Sequence, residues 1–494
     1  MPERRPSVSE AVYHPIPQAP VASNPIPSAS PDIDDEEISL TSDHVVHHAV
    51  VVDSKIRWIH FLLGCAVLLP WNAMITATPY FLSRLEGTRL KSTFSSYLST
   101  TFTAGNLLVL AHATATTRTA SKTRRVLYSL ACLALLSFML TASTYTHPNA
   151  GAFFAFVLFN AAGMAAAGSY LQTAVVAIAS LFGPAAMQAV MSGQAAVAVA
   201  ISGLQLMSAM ASVRGTSPGL VTTVASSEPE AQSAFIFFGL STLFLIVCAA
   251  VHVWLVSLPA YKATVAEAAS RTRRNTHEHS ALLDDSGRDD DGDHRHHRED
   301  EKQHVMRIAK TNATYNIAVA GVFAVTLSVF PPITISVQPT NPQVHPLIFS
   351  AVHFLMFNLG DFLGRSICSL PRLHVWSARR LLSLSLLRIL FIPLFLMCNV
   401  QWASAFSSGT PLIGSDAVFM AIVLFFGLTN GYVSSMCMMA APSLTHNLRL
   451  KGRAEDVDVA ATVASFCLVG GLAIGSVLSF GVRALVCDCN PFTE

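Results

Sequence analysis

Residues 354–371 read FLMFNLGDFLGRSICSLP, an apolar run broken by Asp361 and Arg365. The run is long enough to cross a hydrocarbon core of about 30 Å. A charge inside such a run costs free energy unless protein or water receives it, so these two residues carry information. The run belongs to a longer apolar stretch over 346–370. Comparable stretches recur at 57–81, 94–115, 124–145, 149–178, 184–210, 232–258, 313–337, 381–400, 415–438 and 459–485. Together they predict an all-α polytopic membrane protein with eleven transmembrane helices.

Composition agrees. Of 494 residues, 52% are hydrophobic and 12% charged, against about 25% charged in a soluble domain. The formal net charge is +1, and no basic stretch interleaved with aromatics points to nucleic acid. The nine cysteines are scattered, and Cys132, Cys248 and Cys467 lie in apolar runs. They read as small buried hydrophobes. Cys487 and Cys489 fall outside the expected spans, and a lone CxC pair is weak ground for a metal. No metal or cofactor is expected.

Residues 1–56 form a tail rich in Pro, Ser, Asp and Glu, with IPQAPVASNPIPSASP followed by DIDDEE. Too little apolar surface is available to order it. With no cleavable signal peptide ahead of it, the first apolar run is expected to be retained as a span. A six-helix bundle is expected over 57–258, a charged loop over 259–312, a five-helix bundle over 313–485, and a short tail over 486–494. This six-plus-five plan corresponds to a major-facilitator-like two-bundle arrangement, with solute held between the halves. No GxxxxGK[ST] run supports ATP-driven pumping.

Basic residues set the expected orientation. Arg4, Arg5, Lys55 and Arg57, and the clusters at 118–125, 262–310, 372–380 and 449–453, alternate with loops holding only Arg84, Arg89, Lys91 and Arg214. The positive-inside rule places the first group, and the N-terminus, in the cytosol. The short C-terminal tail then lies outside or in an organelle lumen. The sequon at Asn312 would lie at the cytosolic edge and go unused. Within the long loop, His294, His296 and His297 could bind a metal or sense pH, but a solvated linker is the simpler reading. Glu278 with Leu282 and Leu283 has the spacing of an acidic dileucine signal for sorting adaptors. The membrane is expected to be the plasma membrane or a vacuolar or lysosome-like one.

On a helix, Asn358, Asp361 and Arg365 lie within about 60° of one another, while Gly360 and Gly364 occupy the opposite side. One face is polar and the other permits close helix packing. Asp361 and Arg365 either line a solute path or form a structural ion pair; both can hold. Arg388, in LLRILFIPLFLMCN (386–399), either snorkels to the interface or joins the internal network, and Pro393 would bend its helix. Pro70 frees a carbonyl in the first span, and Trp71 beside it offers a ring face for a heterocycle. Gln188 and Gln194 interrupt a small-residue stretch over 183–203, and Gln172 is a further polar group at depth. Gly427 with Gly431, and Gly471 with Gly475, have GxxxG spacing. His353 is a candidate for packing or gating. No nucleophile–base–acid set suggests an enzyme.

These motifs, taken in order, resemble those of equilibrative nucleoside transporters, in a fungal-type or protist-type form. LLPWNAMITATPYF (68–81) resembles the first-span motif of that family and MSGQAA (191–196) the fifth. FNLGDFLGR resembles its most specific block, FNxxDxxGR. LLRILFIPLFLMCN and FGLTNGYVSSMCMMAAP (426–442) resemble the ninth and tenth spans. The resemblance implies transport of nucleosides, and in some members nucleobases, by alternating access. It implies that Leu68 and Trp71 border the base and that Gln172 bonds to it. Asp361 and Arg365 would lie near the ribose, with Asn358 one turn away. Ile75 stands where many members have a methionine lining the site, and Gly193–Gln194–Ala195 replaces a frequent GxG. Gln194, His353 and Arg388 remain candidates for gating or packing. Expected partners are nucleosides, membrane lipids and, if Asp361 titrates, protons. The residues alone leave open a sugar or drug facilitator of similar fold, or a membrane receptor or scaffold without transport.

Overall fold

The computed structural model describes residues 53–117, 121–146, 148–215, 228–268, 270, 293–400 and 411–487. Its principal helices are α1 (Ser54–Thr76), α2 (Thr78–Arg84), α3 (Leu90–Ala115), α4 (Lys122–Ser143), α5 (Ala150–Leu181), α6 (Pro184–Gly215) and α7 (Glu228–Ser257). After the charged segment come α8 (Asp293–Thr311), α9 (Ala313–Val329), α10 (Pro346–Ile367), α11 (Ala378–Leu387), α12 (Phe391–Leu396), α13 (Asp416–Ala440) and α14 (Val457–Cys487). There is no β-sheet among the described residues, only two isolated bridges. The protein is an integral membrane protein with multiple transmembrane helices.

Local chemistry sets the helix ends. The Asp53 side chain caps α1 by accepting from the Lys55 amide at 3.1 Å. Asn149 caps α5, accepting from Ala152 N at 2.8 Å. Gly183, at φ +86°, and Pro184 break the chain between α5 and α6, as the sequence predicts. The first expected span is two helices, because the chain turns at Ala77 and restarts with Pro79 in the first turn of α2. The last helix runs on through Cys487; Cys489 lies outside the described residues.

The expectation of eleven spans is corrected. Nine helices among the described residues are long and apolar enough to cross a membrane: Ser54–Thr76, Lys122–Ser143, Ala150–Leu181, Pro184–Ala211, Ala231–Ser257, Ala313–Ser336, Pro346–Ile367, Asp416–Ala440 and Ala454–Val482. Two expected spans fail for different physical reasons. The 94–115 stretch is continuous helix, but its serines, threonines and His112 make α3 too polar to qualify. The 381–400 stretch is interrupted: α11 gives way to a tighter turn over Arg388–Leu390 before α12. Pro393 lacks the amide that would bond the Ile389 carbonyl, which lies within that turn. The six-plus-five division is corrected too. The described residues cluster as one compact unit rather than two bundles, because helices from either side of the charged segment pack together: α10 on α6, and α14 on α5 and α3.

The packing between α10 and α13 is very close, and it is reciprocal. A Cβ on Gly360 or Gly364 would meet Leu424 O at 2.2 Å or Leu428 O at 2.1 Å. One on Gly427 or Gly431 would meet Phe357 O at 2.1 Å or Asp361 O at 2.0 Å. Only hydrogen fits at these four sites, so the two backbones touch along two turns. The helix carrying Asp361 is thereby fixed in register against α13. Gly64 and Gly193 bring α1 and α6 together in the same way.

Asn312 is fully buried, donating from Nδ2 to Ala441 O at 3.0 Å and accepting from Asn447 Nδ2 at 2.8 Å. That engagement leaves the sequon no room for a glycan. Within the expected loop, α8 docks by Val305, Ile308 and Ala309 on Leu450, Val459, Ala460 and Val463. Glu278, Leu282 and Leu283 lie outside the described residues.

Candidate functional site

His345 caps α10 through its side chain, and Pro346 sits in the first turn. From there the helical period carries Asn358, Asp361 and Arg365 to one face, opposite the glycines that grip α13. Arg365 Nε donates to Asp361 Oδ2 at 2.8 Å, and both residues are only 6% exposed. The other carboxylate oxygen, Oδ1, accepts from Asn430 Nδ2 of α13 at 2.6 Å. Arg365 Nη1 donates to Met191 O of α6 at 3.0 Å. In return Gln188 Nε2 donates to Arg365 O at 3.1 Å and to Ser192 Oγ at 2.9 Å. Asn358 Nδ2 donates to Ser202 Oγ at 2.5 Å. Asn358 and Arg365 therefore read against α6, across the sequence gap of the charged segment, while Asp361 also reads against α13. Both charges are satisfied by protein groups, as burial at this depth demands.

Arg388 belongs to the same interior. It is 1% exposed, so it does not snorkel. Its Nη2 donates to Thr326 Oγ1 at 2.8 Å, its Nη1 to Phe426 O at 2.9 Å and to Thr429, and its guanidinium lies 4.4 Å from the Phe426 ring centroid. His353 is packed and satisfied. One ring nitrogen bonds Ser350 O at 2.7 Å, the other Thr334 at 3.3 Å, and Phe354 lies 4.3 Å away centroid to centroid.

The residues expected at the base lie on other helices. Trp71 of α1 is half-buried and stacks on Phe102 of α3, with centroids 4.0 Å apart. Half-buried Leu68 offers its carbonyl to Asn72 Nδ2 at 2.9 Å. Ile75 is exposed and lines a cavity of about 850 Å³ together with Thr76, Leu204, Gln205, Phe237 and Leu347. That volume lies in the usual range for small-molecule sites. Gln172 Nε2 donates to Ser465 Oγ of α14 at 2.9 Å, another bond between segments before and after the loop. Gln194 is half-buried one turn from Met191. Among the described residues, no hydrogen bond or ring contact joins Leu68, Trp71, Ile75 or Gln172 to the Asp361–Arg365 pair. No group of three or more metal-ligating side chains occurs among the described residues.

Sequence reasoning missed Asn430 and Thr326. Asn430 carried the signal that singled out Asn358, a lone amide in mid-span, but the flanking Gly427 and Gly431 drew that stretch toward a packing role alone.

The model of the nucleoside transporter family matches residues 158–484. The chain belongs to the nucleoside transporter family. It is similar to equilibrative nucleoside transporter 1 of Rattus norvegicus, at 27% identity over 87% of this chain and 98% of that protein. The human protein of the same name is 26% identical over 87% of this chain and 98% of its own. Equilibrative nucleoside transporter 2 of Rattus norvegicus reaches 36% identity over a shorter region, 33% of this chain and 35% of that one. Among solved structures, the chain shares a fold at a TM-score of 0.52 with the major facilitator superfamily transporter FucP in its outward conformation. The identity is 14%, covering 90% of this chain and 94% of that one. Family membership makes this protein a transporter of small polar solutes and not an enzyme.

Proposed function

We propose that the protein carries nucleosides across its membrane by alternating access. The observation that carries the reading is the buried Asp361–Arg365 pair on α10, bonded through Arg365 to Met191 of α6. A carboxylate accepts and a guanidinium donates, and adjacent ribose hydroxyls can do both. A solute that offered those hydroxyls would replace bonds the pair now makes to protein, and so would loosen α10 from α6. Recognition and helix movement would share the same atoms. Gln172 would meet the base edge, with Asn358 beside the ribose and Leu68, Trp71 and Ile75 along the wall. Ile75 connects that wall to the cavity at one end of the helices.

At the opposite end, Lys122 Nζ of α4 meets Asp458 Oδ2 of α14 at 2.6 Å. Asp456 is held there by His304, Arg307 and Arg453. This end holds the basic clusters, so we assign it to the cytosol, with the N-terminus. An open cavity at one end and ion pairs at the other fit the outward phase of a transport cycle. Movement down a gradient needs no further group; a proton-linked cycle through Asp361 is the alternative. Plasma, vacuolar and lysosome-like membranes all suit this arrangement. The fungal-type or protist-type form rests on the sequence motifs alone.

The test is uptake by purified protein in sealed vesicles. Labelled uridine and adenosine should enter, with competition by unlabelled nucleosides and little by glucose. Adenine and uracil in the same assay would show whether nucleobases share the route. An imposed pH gradient should leave the initial rate unchanged if flux is facilitated. Vesicles that take up glucose but neither nucleoside would turn the assignment to a sugar facilitator; vesicles that take up nothing would favour a receptor or scaffold.

A further inference from the structure

Behind Asp361 lies a second set of buried polar groups that solute chemistry does not call for. Thr326 on α9, Arg388 between α11 and α12, and Asn430 on α13 come from three separate parts of the chain. They are 3%, 1% and 2% exposed. Arg388 Nη2 donates to Thr326 Oγ1 at 2.8 Å and reaches Asn430 Oδ1 at 3.5 Å. Thr326 Oγ1 lies 2.7 Å from Asn430 Oδ1 and 2.7 Å from Val322 O. The single Thr326 proton serves one of those two acceptors; Asn430 Oδ1 thus has the Thr326 hydroxyl and the Arg388 guanidinium on its side, and the Asp361 carboxylate lies on the amide's nitrogen side at 2.6 Å.

Only one orientation of that amide satisfies its neighbours. Turned over, it would set its NH₂ against the guanidinium and its oxygen against the carboxylate, two repulsive contacts in place of two attractive ones. Arg388 and Thr326 therefore fix the Asn430 amide, and the amide fixes Asp361 Oδ1. Arg365 fixes Oδ2 from the other side. The carboxylate plane is held at both oxygens.

Stability does not explain Arg388. Among the described residues no carboxylate bonds to it, and its Nε is buried without a hydrogen-bond partner. A guanidinium so placed costs the fold more than an apolar side chain of similar volume would.

We propose that Thr326, Arg388 and Asn430 are positioning residues that set the angle at which Asp361 meets the solute. They would thereby set the preference for a ribose with both neighbouring hydroxyls over a deoxyribose. The inference rests on the nucleoside reading of Asp361. None of the three needs to touch solute; Arg388 and Thr326 act through Asn430, and Asn430 acts through Asp361.

The experiment uses the full chain in sealed vesicles. Uridine KM and maximal rate are measured beside the preference for uridine over 3′-deoxyuridine, with thermal stability as a control for folding. Thr326→Val keeps the side chain's shape and removes the hydroxyl; Asn430→Ala removes the amide. Each should raise the uridine KM by about tenfold, as loss of a hydrogen bond that orients a charged group would. Each should also cut the preference by about tenfold while changing the maximal rate per folded molecule by less than about twofold. Thr326→Ser, which returns the hydroxyl, should restore both KM and preference. Thr326→Val carries the test alone if Asn430→Ala does not accumulate.

Lower stability with KM and preference unchanged would reduce the cluster to a packing device and overturn the proposal. Asp361→Asn, assayed by equilibrium uridine binding as well as flux, separates the two levels. If Asp361→Asn keeps the preference, the role of Asp361 itself falls. If Asp361→Asn loses the preference and Thr326→Val keeps it, only the positioning role falls.

Discussion

Two ion pairs of similar length differ in how far the basic partner reaches solvent. Arg365–Asp361 spans 2.8 Å with side chains 7% and 8% exposed; Lys122–Asp458 spans 2.6 Å with side chains 27% and 10% exposed. The first is built from short reaches along one rigid helix, and each charge is bonded to further helices. The second joins the long, half-wet Lys122 side chain to the first turn of α14. There Asp458 also accepts from its neighbour's amide, Val459 N, at 2.9 Å, and the helix N-terminus favours a negative charge. An interior pair of this kind is costly to form and costlier to halve. In the end pair only the lysine reaches solvent, and Asp458 keeps the Val459 amide and the helix N-terminus when the lysine swings away. On the proposed function, the interior pair would serve recognition and the end pair movement.

The largest expected effect tests the interior. Asp361→Ala would leave the Arg365 guanidinium buried without its carboxylate. About 3–5 kcal/mol of stability should be lost, and uridine uptake should fall to background at matched protein levels. Adding Arg365→Ala should recover much of the stability, since no unpaired charge then remains at that position, but none of the uptake. Unfolding midpoints and vesicle flux, measured on the single and double variants, read the two effects apart. Uptake close to that of the parent protein in the double variant would end the role given to the pair.

Much of this interior was legible in the residues. The i, i+3, i+7 placement of Asn358, Asp361 and Arg365, with glycines opposite, gives both the polar face and the tight one, and the structure shows α6 and α13 against them. Arg388 was legible as a question with two answers, and burial decides between them. What the residues could not show was partnership across long separations. Nothing local to Asn430 points to Asp361, or local to Gln188 to Arg365. The count of spans was misread where the apolar average hid a local interruption. In 381–400 one proline beside a buried arginine broke the helix. In 94–115 hydroxyl side chains lowered the hydropathy while leaving the helix intact.

An intermediate effect tests the end. Lys122→Ala should cost less stability than Asp361→Ala, because Lys122 is partly exposed and Asp458 keeps the Val459 amide and the helix N-terminus. It should nonetheless alter flux more than binding, because the pair ties α4 to α14 across the closed end. Raising salt in the parent protein should move its kinetics toward those of Lys122→Ala, since partly exposed charges are screened. The reversed pair, Lys122→Asp with Asp458→Lys, should restore part of the parental rate. A drop in equilibrium uridine affinity as large as that of Asp361→Ala would break the division of roles.

The smallest effect sharpens the picture of the basic end through pH. His446, in the connection between α13 and α14, stacks on Trp376 with centroids 3.9 Å apart and planes 9° apart. Partial burial pushes its pKa below the ordinary histidine value of 6.5, and the neighbouring His374 adds to the depression. With the folded value below the unfolded one, the unfolded chain binds more protons between the two. The contribution of His446 is therefore fully present above about 6.5 and is lost as pH falls through the depressed value. His446→Phe keeps a ring on Trp376 and removes the titration. Thermal unfolding of parent and variant across pH 5 to 8 should diverge only on the acid side, with the variant losing less. Comparing the two proteins isolates His446, because every other residue is common to both. Parallel curves throughout would mean that the stacked ring takes up a proton as readily folded as unfolded, leaving the end of the molecule held by its ion pairs alone.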